Sequence, residues 1–183
     1  MKKIEKWKLL DSEYLIRRPW LTARRDCVQL PDGTVQPEYY VLEYPTWINV
    51  IAITRDGRFV MVEQYRHGLQ DVFMELVAGT CEQGEDPLAA AQRELLEETG
   101  YAGGEWTPYG VLSANPTSMN NLSHIFLATG VERVAEQHLD DTEDIAVHLL
   151  TEQEVLALLR ADRIKQALMA APLWKYFATR PSL

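Results

Sequence analysis

Residues 79–101 read GTCEQGEDPLAAAQRELLEETGY, and this stretch decides the fold. Asp86 is a good N-cap residue, and Pro87 stands where a proline is tolerated in the first turn of a helix. The residues from Leu88 to Thr99 are rich in alanine, leucine, glutamate, glutamine and arginine, which favour helices. Gly100 provides a natural stop. The stretch therefore predicts a loop followed by one helix with defined ends.

Three carboxylates fall on one face of this predicted helix. Glu94, Glu97 and Glu98 have the i, i+3, i+4 spacing, so they lie within about 100° of arc. Their charges repel one another, and they stand near the C-terminal end, where the helix dipole disfavours negative charge. The face is either a solvated acidic surface or a site for Mg²⁺ or Mn²⁺, which a backbone carbonyl at Ala78 or Gly79 could complete.

The residues before this stretch predict strands. Leu21–Leu30 and Val35–Tyr44 flank a Pro-Asp-Gly turn and predict one hairpin. Trp47–Thr54 is an apolar run, and an Asp-Gly turn joins it to Arg58–Gln64, which predicts a second hairpin.

Strands and helices are also predicted after residue 101. Thr151 with Glu154 fits a capping box at the start of a helix, and a last helix is expected from Asp162 towards Phe177, interrupted near Pro172. The order of strands, helix, strands and helices predicts an α+β fold with helices outside a mixed sheet. The strands predicted here are Trp106–Leu112, His124–Thr129 and Ile145–Leu150.

Composition narrows the class of protein. The chain has 183 residues and a formal net charge of −9, which disfavours general binding to nucleic acid or to an anionic membrane. Cys27 and Cys81 are expected to be reduced thiols, because two cysteines do not make a disulfide framework. No apolar run approaches a membrane span, and the basic N-terminus has no apolar stretch behind it. We expect a cytoplasmic enzyme or binding protein.

The 79–101 stretch resembles the Nudix box, in which glycine, glutamate, arginine and a glutamate cluster recur at fixed spacing. Tyr101 holds the last apolar position, a mild departure from the pattern. The family's fold is a mixed β-sheet sandwiched between helices, with the box as loop, helix and loop. The fixed positions are matched by Gly79, Glu85, Arg93, Glu94, Glu97, Glu98 and Gly100.

The resemblance implies hydrolysis of a nucleoside diphosphate linked to another group. Glu94, Glu97 and Glu98, with the carbonyl of Ala78, would hold Mg²⁺ or Mn²⁺, which lowers the pKa of water and neutralises phosphate charge. Glu94 and Glu98 are expected to be the strongest ligands, whereas Glu97 is either a ligand or orients water. Glu85 and Arg93 are expected to pair and fix the loop, and with Gly79 and Gly100 they are structural.

Residues outside the box resemble the ADP-ribose and ADP-sugar pyrophosphatase branch. Gln64-Tyr65-Arg66 and the 75–79 segment carry this likeness, although Val77 stands where the branch usually has proline. The branch implies a β-strand region at residues 1–45 that builds a homodimer, followed by a hydrolase domain at residues 46–183.

The same likeness assigns substrate contacts. Arg66 would contact the diphosphate or ribose, as suits an arginine at a strand end. Glu75 would hydrogen-bond the substrate or support the cation site, and Trp47 is a candidate for stacking on adenine. Apart from the likeness, the side-chain amide of Asn120, in the loop after the box, can bind a sugar or a metal-bound water. A structural ion pair for Arg66 or Glu75, and core packing for Trp47, are the alternatives.

One departure concerns the catalytic base. Many enzymes of the branch carry a glutamate in the loop after the box, but residues 113–123 contain no carboxylate. The base would then come from the box, from the acidic run 140–144, or from hydroxide held by the cation alone. Glu143, just before a predicted strand, is the best candidate in that run, although a solvated loop is the alternative.

The sequence thus predicts a divalent-metal-dependent hydrolase that cleaves ADP-ribose or a related nucleotide sugar into a nucleoside monophosphate and a sugar phosphate. Two alternatives stay open. The first keeps the chemistry but changes the substrate to a GDP-sugar, a dinucleotide, a coenzyme or a triphosphate. The second is a nucleotide sensor without catalysis, which the complete set of box glutamates disfavours.

Overall fold

A computed structural model describes residues 3–179, and these form two compact units. Unit one contains residues 3–45 and Asn115–Asn121. Unit two contains Thr46–Ala114 and residues 122–179. Within the described residues, no helix is long and apolar enough to cross a membrane.

Unit one is built on a three-stranded antiparallel sheet. Its strands are β1 (Lys8–Arg18), β2 (Leu21–Gln29) and β3 (Val35–Glu43), in the order β1-β2-β3. The predicted hairpin between β2 and β3 is confirmed, because Gly33 adopts a φ of 92° in the turn and the amide of Thr34 donates to the Asp32 carboxylate at 2.9 Å. Strand β1 is exposed along its whole length.

The loop 115–121 completes unit one by pairing with the end of β3. The amide of Leu42 donates to the carbonyl of Ser118 at 2.7 Å, and the amide of Asn120 donates back to the carbonyl of Leu42 at 3.2 Å. The hydroxyl of Tyr39 donates to the carbonyl of Thr117 at 2.5 Å. The loop therefore belongs to this small sheet although 78 residues separate Tyr39 from Thr117.

Unit two is built on an eight-stranded mixed sheet. The strands are β4 (Trp47–Thr54), β5 (Phe59–Arg66), β6 (Asp71–Glu75), β7 (Val77–Thr80), β8 (Tyr101–Ala102), β9 (Glu105–Leu112), β10 (Ser123–Arg133) and β11 (Ile145–Leu150). The central order is β11-β5-β4-β10-β8. Strands β4 and β10 run parallel, and β6, β7 and β9 pair antiparallel with β5, β4 and β10. The second predicted hairpin is confirmed as β4 and β5.

Helices cover both faces of this sheet, as predicted. Helix α1 (Pro87–Thr99) buries Ala91 and Leu95 against one face, together with Val60 and Val62 of β5. Helices α2 (Glu152–Arg160) and α3 (Ala167–Thr179) pack on the other face. The α+β sandwich places α1 between the box loop and the strand that follows it.

The last helix differs from its prediction. It begins at Ala167 rather than near Asp162, because Asp162 adopts a left-handed φ of 52° at the end of α2. The carbonyl of Gln166 accepts from Met169 at 3.0 Å and begins the new helix. Pro172 lies inside α3 without interrupting it, since that face is buried in the apolar core and packing offsets the missing amide donor. The predicted capping box of α2 at Thr151 is confirmed.

Candidate active site

Helix α1 has the ends that its sequence predicts. The carboxylate of Asp86 accepts hydrogen bonds from the amides of Leu88 at 3.0 Å and Ala89 at 3.2 Å, which satisfies two free donors of the first turn. Gly100 ends the helix at a φ of 74°, and its amide donates to the carbonyl of Leu96 at 2.8 Å. A Cβ at this glycine would also lie 2.2 Å from the carbonyl oxygen of Ala135.

Arg93 fixes the preceding loop to the helix. Its guanidinium donates to both oxygens of Glu85 at 3.0 Å and to the carbonyl of Thr80 at 3.1 Å. Glu85 in turn accepts from the amide of Glu82 at 2.8 Å. Hydrogen bonding from Arg93 lowers the pKa of Glu85. The predicted ion pair between these two residues is therefore present.

The same guanidinium contacts two of the box glutamates. Its Nη1 donates to one oxygen of Glu94 and one of Glu97, each at 3.0 Å. The carboxylate of Glu94 lies against Gly79, where a Cβ would come within 2.1 Å of the Glu94 Cδ. Any larger residue at position 79 would displace the Glu94 carboxylate, so Gly79 permits this position of Glu94. Burial is the main cause that raises the pKa of Glu94, and the charge of Glu97 adds to it.

Glu98 is the most unusual group of the site. It is 4% exposed, and its Oε2 has no hydrogen-bond partner. Burial raises its pKa well above the usual value, and the charges of Glu94 and Glu143 add to the effect. The backbone amide of Ala78 and the charge of Arg66 act in the opposite direction. A buried carboxylate oxygen without a donor costs free energy unless a proton or a cation accompanies it.

This donor set fits a hard divalent cation. Glu98 contributes an orphaned oxygen, and Glu94 and Glu143 bring further negative charge to it. Oxygen ligands of this kind suit Mg²⁺ and Mn²⁺. Within residues 3–179, however, no three acidic, histidine or cysteine side chains already form a ready metal cluster, and Arg93 engages Glu94 and Glu97. The ligand set remains a prediction.

Glu143 reaches the box through the segment between β10 and β11. Its charge contributes to raising the pKa of both Glu94 and Glu98. Its backbone amide donates to the carbonyl of Asp140 at 2.9 Å, and its carboxylate accepts from the Asp140 amide at 2.9 Å. This turn restrains the side chain of Glu143, the candidate base that the sequence predicts in the acidic run.

Arg66 and Glu75 form a pair beside the site. The Arg66 Nε lies 3.1 Å from both oxygens of Glu75, and its Nη2 lies 2.6 Å from one of them. The Glu75 side chain is 4% exposed and that of Arg66 is 43% exposed. Gln64 also donates to Glu75 at 3.2 Å. Glu75 therefore orients Arg66, whose charge acts on the nearby Glu98.

Trp47 and Asn120 are the two remaining predicted substrate residues. Trp47 is the half-buried first residue of β4, paired in register with Thr80 and Ser123. Asn120 belongs to unit one, where its side-chain oxygen accepts from the amide of Tyr44 at 3.3 Å. Their contacts with adenine and sugar remain predictions.

The sequence reasoning missed two glutamines. Gln64 supports Glu75, and Gln137 donates from its amide to the carbonyl of Glu98 at 2.7 Å. Gln64 is part of the Gln64-Tyr65-Arg66 segment that carries the family likeness, and that position is the signal that could have assigned it a role. Nothing in the local pattern around Gln137 indicates its contact with a helix 39 residues earlier in the chain.

An open cavity of about 610 Å³ lies at the other end of α1. Apolar side chains such as Leu88 and Phe126 line it together with His124. None of the box glutamates lines this cavity, so the cavity is separate from the carboxylate site.

Known proteins match this chain along most of its length. A family model described as the NUDIX domain matches residues 44–171, and one described as the nucleoside diphosphate sugar hydrolase N-terminal domain matches residues 7–42. A methanol dehydrogenase activator of Bacillus methanolicus is 32% identical over 165 residues, covering 90% of this chain and 89% of that protein. An ADP-ribose pyrophosphatase of Bacillus subtilis is 30% identical over 168 residues, covering 91% and 90%.

One solved structure agrees with the fold. It is described as an ADP compounds hydrolase and superposes with a TM-score of 0.84, covering 97% of this chain and 96% of its own. The two sequences are 20% identical, so the likeness concerns the fold.

Proposed function

Because the chain belongs to the Nudix family, we propose that it is a metal-dependent pyrophosphohydrolase that cleaves the diphosphate of ADP-ribose or a related nucleotide sugar. The observation that carries this proposal is the buried carboxylate of Glu98. Its Oε2 has no hydrogen-bond partner, and the charges of Glu94 and Glu143 add to the increase in its pKa. The relatives named ADP-ribose pyrophosphatase, and the mouse ADP-sugar pyrophosphatase that is 39% identical over 143 residues, support the substrate class.

The box glutamates would hold the cation. Glu94, Glu97 and Glu98, with the carbonyl of Ala78, are the proposed ligands for Mg²⁺ or Mn²⁺. When bound, such a cation neutralises diphosphate charge and acidifies water. Burial and the charge of Glu94 both disfavour a negative charge on Glu98. A bound cation would offset both unfavourable effects, which makes Glu98 a strong ligand.

The remaining residues would bind the substrate and move the proton. Arg66, oriented by Glu75, donates hydrogen bonds to the diphosphate, because the planar guanidinium presents several donors that match phosphate oxygens. Water attacks one phosphorus, the bridging P–O bond breaks, and the carboxylate of Glu143 accepts the proton of the water. The products are a nucleoside monophosphate and a sugar phosphate. Trp47 and Asn120 are proposed to contact the base and the sugar.

A product assay tests this function. The purified chain is incubated with ADP-ribose, GDP-sugars, dinucleotides and triphosphates, each with Mg²⁺, with Mn²⁺ and with EDTA, and the products are separated by ion-exchange chromatography. Selective release of AMP from ADP-ribose, abolished by EDTA, is the expected result. Glu98→Gln, purified in the same way, should lose this activity, which excludes a contaminating hydrolase. Glu105→Gln, at the exposed start of β9, should keep it and so controls for replacing a glutamate outside the site.

Other outcomes of the same assay separate the alternatives. Preferential cleavage of a different nucleoside diphosphate derivative keeps the reaction and replaces the substrate. Tight nucleotide binding without any cleavage supports a sensor and rejects the proposed hydrolase.

The proposal includes a homodimer built through the N-terminal strands. Strand β1 is exposed throughout and carries apolar side chains, among them Leu9, Leu15 and Ile16, at 54%, 47% and 43% exposure. Solvent-exposed apolar residues on an edge strand suit association with a second copy. Light scattering should give twice the chain mass, and Leu15→Glu should shift the protein towards monomer. A wild-type monomer at all concentrations rejects the dimer.

A further inference from the structure

The segment 134–144 satisfies carbonyls at the end of α1. These groups lack donors within the helix and need partners elsewhere. The backbone amide of His138 donates to the carbonyl of Glu97 at 2.8 Å, and the side-chain amide of Gln137 donates to the carbonyl of Glu98 at 2.7 Å. The segment is therefore fastened to the helical turn that carries the box carboxylates.

Gln137 makes a second contact that the backbone bonds do not make. Its Nε2 also donates to the carbonyl of Ile145, the first residue of β11, at 3.1 Å. One amide group thus bridges the end of the helix and the start of a strand. The two bonds close the base of the loop that runs from Gln137 to Ile145, and Glu143 lies inside this loop.

This closure works against electrostatic repulsion. The charge of Glu143 disfavours negative charge on both Glu94 and Glu98, and like charges repel. Packing of Leu139 on the core near α1 and the hydrogen bonds of the segment oppose that repulsion. The bond from His138 joins backbone groups, whereas the two bonds of Gln137 come from its side-chain amide and would be lost on substitution.

We infer that Gln137 is a positioning residue for hydrolysis, which fastens the loop of Glu143 to the end of α1 by bridging the carbonyls of Glu98 and Ile145. This inference rests on the proposed function. Gln137 itself contacts neither substrate nor cation, so its loss should change the rate of the chemical step and leave substrate binding nearly intact.

Kinetics of Gln137→Met test the inference, because methionine has a similar length and no donor. We expect kcat to fall about 3–10-fold, as for the loss of about one neutral hydrogen bond, with KM within about twofold of wild type. In a Glu143→Gln background the same substitution should cause no further loss, because the residue it positions is already disabled. Gln153→Met, at an exposed position of α2, is the matched control and should match wild type.

Hydrogen exchange provides a readout that needs neither substrate nor cation. Amides of residues 138–144 should exchange faster in Gln137→Met, while α1 and the control variant keep wild-type rates. Equal losses of kcat in both backgrounds, a change in KM alone, or unchanged exchange with unchanged kcat would each overturn the inference. A wild-type protein without turnover would overturn the proposed function as well, so the two failures are distinguishable.

Discussion

The two faces of the eight-stranded sheet differ in what they bury. The face covered by α2 and α3 encloses an apolar cluster that includes Met61, Met169 and Leu173, each fully buried. The face covered by α1 has a similar apolar cluster, but the helix also buries Glu98 with an oxygen that lacks a partner. One face thus contributes stability, whereas the other gives up some stability to hold a reactive charge, which is typical of functional sites.

The strongest test of this contrast is Glu98→Gln. The amide keeps the shape but removes the negative charge, so we expect kcat to fall about 10³-fold, equivalent to about 4 kcal/mol. The free energy of unfolding at neutral pH without cation should not fall, because the buried charge is gone. Steady-state kinetics and urea unfolding measure the two quantities. Near wild-type turnover would contradict the assignment of Glu98.

Leu173→Ala tests the opposite face. Truncating this fully buried side chain should lower the free energy of unfolding by about 3 kcal/mol through lost burial and a cavity. The kcat of the folded fraction should stay within about twofold of wild type. Leu149→Ala, at a position that is 39% exposed, should cost less stability. A large loss of kcat in Leu173→Ala would show that the two faces are not separable.

Glu143→Gln examines whether the carboxylate of Glu143 accepts the proton of the attacking water. We expect a loss of kcat of about 10²-fold, equivalent to about 2.7 kcal/mol, together with a changed pH–rate profile. Asp141→Asn, in the same acidic run, is the matched control and should leave the profile unaltered. If the profile of Glu143→Gln is that of the wild type, the base lies elsewhere.

The smallest expected effect is on thermal stability. Burial raises the pKa of Glu98, so the folded protein binds more protons than the unfolded chain, and stability falls as pH rises above the usual glutamate range. A cation should offset this fall: at about ten times its dissociation constant it adds about 1.4 kcal/mol, or about 3–6 °C in Tm. Thermal scans between pH 5 and 8, with and without Mg²⁺, measure it. An equal shift in Glu98→Gln would place the cation elsewhere.

The sequence could predict those parts of the molecule that depend on local chemistry. The ends of α1 follow from Asp86 and Gly100, and the ion pair of Arg93 with Glu85 follows from their spacing around one turn and loop. The two hairpins follow from their turn residues. In each case the deciding residues lie close together in the chain.

Other parts depend on contacts that leave no local pattern. The docking of residues 134–144 on α1 uses mainly backbone amides and carbonyls, which every residue type possesses. The continuity of α3 through Pro172 is decided by packing on the sheet, which local propensity does not report. The acidic run identified Glu143 as a candidate base, but the effect of its charge on Glu98 could not be predicted from the sequence.

The loop 115–121 also has a consequence for biosynthesis. Strands β1, β2 and β3 of unit one precede α1 in the chain, whereas the last segment of the unit follows α1, so a ribosome makes the helix before it finishes the unit. The local hairpins of β1, β2 and β3 can form early, whereas the bond between Tyr39 and Thr117 must wait for 78 more residues. During that interval the nascent chain carries a strand edge on β3 without its partner segment, and such an edge can pair with another chain.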